Sequence, residues 1–129
     1  MSTAPTAAGS AGPAGPAAID YDGRNFRRAG GGDGVVVHYR QEGNLVWADF
    51  TGGPVRRGTL NGTCVEDGTL SLAYSMVMAT GELISGHTVN TPAPGADGLL
   101  LLREEWQRYG NHSESGVSYL EEVHPDVTD

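Results

Sequence analysis

The sequence predicts an all-β fold, an eight-stranded antiparallel up-and-down barrel. Three observations carry that expectation. From Tyr21 onward the chain falls into short stretches of alternating polarity. Turn-forming pairs punctuate them at roughly one-strand intervals: Glu42-Gly43, Gly52-Gly53, Asp67-Gly68, Thr80-Gly81 and Asp97-Gly98. Glycine at such places supplies the positive φ that tight hairpins need. No segment shows a 3.6-residue period of useful length. Eight sequential strands with a small core lose both exposed edges by closing into a barrel. A two-sheet sandwich is the alternative architecture.

The elements follow in order along the chain. Residues 1–17 are almost entirely Ala, Gly, Pro, Ser and Thr. Such a segment cannot offset its ordering entropy, so a disordered tail is expected. It has neither a basic start nor an apolar stretch of signal-peptide length. With Cys64 as the single cysteine, the cytoplasm is the expected compartment. Residues 18–124 form the barrel domain and 125–129 a short acidic tail. Strands are expected at 21–28, 35–41, 44–51, 54–65, 69–79, 82–90, 99–107 and 116–123.

Turn positions predict register, and register predicts which face points inward. A two-residue Glu42-Gly43 turn sets Tyr39 against Val46, Val37 against Ala48 and Val35 against Phe50, an apolar inner face. Gly52-Gly53 sets Ala48 against Arg57 inside. Outside it sets Asp49 against Arg56 and Trp47 over Gly58, an indole shielding bare backbone. Asp67-Gly68 sets Asn61 against Tyr74, and Thr80-Gly81 sets Tyr74 against His87. In the 99–107 strand Leu100, Leu102, Glu104 and Trp106 are expected inward.

Composition excludes several function classes. The 129 residues carry eight arginines, no lysine and sixteen carboxylates, for a net charge of −8. Nucleic acid and anionic membranes are therefore disfavoured partners. No apolar run approaches the ~18 residues of a membrane helix. The four histidines, His38, His87, His112 and His124, fall in four separate segments. None shows metal-ligand spacing, so no metal and no cofactor is implied. Cys64 falls on the expected outer face with no histidine near it in sequence.

The candidate site is the polar set on the expected inner face: Tyr39, Arg57, Asn61, Tyr74, His87 and Glu104, with Trp106 beside them. A few placed polar groups in an apolar enclosure suit a small, partly apolar or aromatic ligand. In a second reading His87 and Glu104 are an acid–base pair, as in a cofactor-free cyclase or isomerase. In a third the core is full, Glu104 neutralises a buried Arg57, and the protein is structural. The apolar residues Trp47, Leu60, Val77 and Ile84 fall on the expected outer face. They predict a homodimer or tetramer, with cover by the N-terminal segment or a loop as the alternative.

Several stretches resemble a family of small, mostly bacterial proteins with avidin-like or lipocalin-like barrels. They are Tyr21-Asp22-Gly23-Arg24, His38-Tyr39-Arg40-Gln41-Glu42-Gly43, Asn44-Leu45-Val46-Trp47-Ala48, Arg57-Gly58-Thr59-Leu60, Gly81-Glu82-Leu83 and Glu104-Glu105-Trp106-Gln107. The resemblance spans roughly Tyr21 to Val123 and implies the barrel, but no agreed chemistry. Members often carry the label N-acetylglutamate synthase. That acyl transfer needs an αβ fold with a glycine-rich pyrophosphate loop opening a helix. Arg57-Gly58-Thr59-Leu60-Asn61-Gly62 lies in a strand context, so an N-acetyltransferase is not expected. The chain departs from the family pattern at Arg57, where an aromatic is common, and at His87, where arginine is usual.

Overall fold

Alternating polarity and glycine turns produce nine strands in the computed structural model, which describes residues 19–32 and 34–124. They are β1 (Asn25–Arg28), β2 (Val36–His38), β3 (Arg40–Glu42), β4 (Leu45–Gly52), β5 (Val55–Cys64), β6 (Leu70–Met78), β7 (Leu83–Pro94), β8 (Leu100–Arg108) and β9 (Glu114–Val123). The sheet order is β2-β1-β9-β8-β7-β6-β5-β4-β3, and β2 also pairs with β4. That pairing closes the sheet. β2 and β3 are two pieces of one staggered position, so the result is an eight-stranded antiparallel barrel. The terminal segments 1–17 and 125–129 lie outside the described residues. Among the described residues no helix is long and apolar enough to cross a membrane.

Tyr39 lies between β2 and β3. Tyr39 N–H donates to the Arg24 carbonyl, and its own carbonyl accepts from Gly23 N–H, both at 2.9 Å. These bonds continue the β1–β2 ladder into the Tyr21–Arg24 turn. This turn plugs the barrel's lower end. Tyr21 is fully buried, and its hydroxyl donates to the Gly68 carbonyl at 2.6 Å. Its ring packs with Phe26 and Tyr39, centroids 6.2 and 6.0 Å away. Val46, Leu70, Leu72 and Leu102 fill the layer around them. Arg24 anchors the plug with two hydrogen bonds to the Glu122 carboxylate, at 2.9 and 3.1 Å.

Several expected registers are corrected. The first hairpin turns at Gly43-Asn44, pairing Gln41 with Val46 and Val37 with Phe50. A shift of two keeps every side chain on its expected face. The next hairpin turns at Gly53-Pro54 and then carries a bulge at Arg56–Arg57, with one extra residue on β5. A bulge reverses the face of all that follows it. The loops Glu66–Gly68 and Ala79–Gly81 hold three residues, not two, each ending in a glycine at positive φ. Three-residue hairpins of that kind shift pairing by one.

β6 lies inward as expected, while β5 and β7 are reversed. Cys64, Leu60 and Ile84, expected outside, are buried. The expected outer apolar stripe therefore dissolves, and only Trp47 and Val77 of it remain on the outer face. Asp49 pairs with Thr59 rather than Arg56, and Trp47 with Asn61 rather than Gly58. Trp47 lies under the Arg40 guanidinium, 5.7 Å from the ring centroid.

Candidate functional site

Large aromatic side chains should fill the upper half of so narrow a barrel. They do not, because each lies over a glycine on the neighbouring strand. Phe50 is opposite Gly58, Tyr74 opposite Gly86 and Trp106 opposite Gly116. A Cβ at those glycines would come within 2.3 Å of Phe50, 2.6 Å of the Tyr74 hydroxyl and 2.7 Å of Trp106. The rings lie sideways against the wall, each covering bare backbone. The shielding expected of Trp47 is thus performed by Phe50.

The space this leaves is a cavity of about 180 Å³, open at the upper end. Val35, Val37, Val55, Met76 and Leu120 give it an apolar wall, and Thr88 adds a hydroxyl. Four of the seven sequence-derived site residues stand on it: Tyr39, Tyr74, Glu104 and Trp106. Arg57, Asn61 and His87 do not. Arg57 and Asn61 are exposed outside β5, carried there by the bulge and the Glu66–Gly68 loop. His87 faces outward on β7, where its Nε2 lies 3.1 Å from Ser71 Oγ. The expected His87–Glu104 acid–base pair and Arg57–Glu104 ion pair are therefore both absent.

Glu104 is the central polar group. Burial pushes its carboxyl above the usual range, and the Arg28 guanidinium pulls partly the other way. Among the described residues none hydrogen-bonds to it or pairs with it. The Tyr39 side chain is in the same position. It is 1% exposed, and its hydroxyl has no partner among the described residues. Burial raises its pKa far above the usual value, helped by the nearby Glu104 and Tyr21. Asn90 lies opposite Glu104 on β7, fully buried. Its Nδ2 donates to Thr88 Oγ1 at 2.9 Å, and its Oδ1 is unsatisfied. Native interiors leave few such groups without partners.

Two arginines that the sequence reading missed stand at the mouth. Arg108 lies over Trp106, its guanidinium carbon 5.5 Å from the ring centroid. Arg28 donates to Ser118 Oγ at 2.8 Å, and Trp106 Nε1 donates to the same hydroxyl at 3.1 Å. Their signal was in the alternation. Arg108 is the next inward position after Glu104 and Trp106, one residue past the expected strand end. Arg28 is likewise next after Phe26. Cys64 is no nucleophile candidate, since burial, then Asp67 and Asp20, raises its thiol pKa.

A family model described as avidin-like protein matches residues 19–123, about four-fifths of the chain. The chain therefore belongs to the avidin-like family. No curated protein and no solved structure matches it.

Proposed function

We propose that this avidin-like barrel binds one small, partly apolar or aromatic molecule noncovalently in its upper cavity. The observation that carries the reading is the pair Glu104 and Tyr39. Both are inward-facing polar groups on the wall of an open cavity, and neither is satisfied by the described protein. Their polar atoms open onto the cavity, where a ligand can meet them. A ligand with matching groups is then oriented by bonds that the protein itself leaves open. The apolar wall and the three sideways rings supply the contact area. An apolar cavity of about 150 Å³ is known to hold benzene, so a space of about 180 Å³ suits one ring and a small substituent.

Native mass spectrometry of the chain purified from its own host tests this. The expected result is a retained small molecule, one per chain. Gly58→Ala provides the control, because the new Cβ would sit 2.3 Å from the far edge of Phe50. That ring must swing into the cavity, so the variant should fold and lose the ligand. A host-purified protein with no ligand, or a ligand retained equally by folded Gly58→Ala, contradicts cavity binding.

A further inference from the structure

We infer that the ligand is a single-ring carboxylate, held by its carboxylate at the arginine mouth and by a hydroxyl or N–H group at Glu104. This rests on the cavity reading above and names its chemistry. The chain carries a net charge of −8, so its average field repels anions. Arg28 and Arg108 nevertheless both line this cavity. Among the described residues no carboxylate pairs with Arg108, whereas Arg27 on the same rim is tied to Glu121 at 2.9 Å.

Arg108 is also held in place by the Trp106 ring beneath it. Ser118 fixes Trp106 and Arg28 together. A planar guanidinium so oriented suits bidentate capture of a carboxylate.

The other end of the ligand follows from Glu104. Its carboxyl needs a donor from the ligand, and no described protein group supplies one. Glu104 and Arg108 are four residues apart on one strand face, about 13 Å of rise. Tyr74 is level with Arg108 in the sheet, with Gly86 between them. The arginine reaches back over Trp106, which leaves a gap that a benzene ring with groups at opposite ends can span. The ring then contacts Phe50, Met76 and Val37.

Calorimetric titration of the full chain with 4-hydroxybenzoate, benzoate and phenol tests the inference. 4-Hydroxybenzoate should bind at least about tenfold tighter than phenol, the scale of one charge-assisted pair. It should also bind tighter than benzoate, and added salt should weaken it more than it weakens phenol. In Arg108→Gln the preference over phenol should collapse. Equal binding of 4-hydroxybenzoate and phenol, or a preference surviving in Arg108→Gln, overturns the carboxylate assignment while leaving cavity binding intact. Equal binding of benzoate and 4-hydroxybenzoate overturns the role given to Glu104. If none of the three binds, the ligand class is wrong. Cavity binding then stands or falls on the host-purified protein.

Discussion

Gly62→Ala and Gly86→Ala should each cost more than about 4 kcal/mol, the range reserved for severe local clashes. A Cβ on Gly62 would lie 1.9 Å from the Ser71 carbonyl oxygen and 2.8 Å from Leu72 Cα. One on Gly86 would lie 1.9 Å from the Gln107 carbonyl oxygen. Those neighbours are backbone atoms of paired strands and cannot rotate away. Each glycine marks a place where the small barrel coils so tightly that no side chain fits inside. Gly43→Ala is the contrast. Gly43 has a φ of 61° and open space around it, so only the left-handed backbone penalty of about 1–2 kcal/mol applies. Urea unfolding of the three variants checks this. Similar losses at Gly43 and Gly86 would show that backbone conformation, not close approach, explains the glycines.

Arg24→Ala should destabilise the barrel by about 3 kcal/mol, the low end for breaking a buried pair. The Glu122 side chain is only 8% exposed, against 35% for Arg24. Removing the arginine leaves a buried carboxylate holding one remaining bond, from Leu100 N–H at 2.9 Å. It also frees the turn that carries Tyr21, because Arg24 Nε donates to the Asp20 carbonyl at 2.8 Å. Glu122→Gln in the Arg24→Ala background should recover part of the loss by removing the stranded charge. A loss under about 0.5 kcal/mol, the usual effect of a surface change, would mean the plug does not depend on this pair.

The barrel and its strands were legible in the sequence because alternation and turn glycines are local signals. The lower core was legible too, since Val46, Leu70, Leu72 and Leu102 fall on inner faces under the expected and the observed registers alike. The site was legible only on some strands. Tyr39 kept its face because its hairpin shifted by two. Tyr74, Glu104 and Trp106 lie on strands whose own alternation marks the inner face. Arg57, Asn61 and His87 were misplaced because their faces rested on counting across turns. One bulged residue or one extra loop residue reverses every side chain beyond it. The sequence held a corrective signal. Placing Gly68 and Gly81 as the last of three loop residues turns Leu60, Cys64 and Ile84 inward.

The charge on Glu104 offers the most direct measurement. Its folded-state pKa is raised above the usual 4.5 by burial, so the native protein holds that proton more tightly than the unfolded chain does. Stability from this group therefore falls as pH rises from about 4.5 through the folded value, and the deficit is complete at higher pH. Unfolding free energy of Glu104→Gln and of the parent chain, both ligand-free, should be compared at pH 4 and well above the folded pKa. If Glu104 is an unpartnered group kept at the cavity for a ligand, the variant should be more stable at the higher pH, on the order of 1 kcal/mol. The gain should largely vanish at pH 4. A variant less stable than the parent at the higher pH would mean that the protein itself satisfies Glu104, and would contradict the cavity as a binding site.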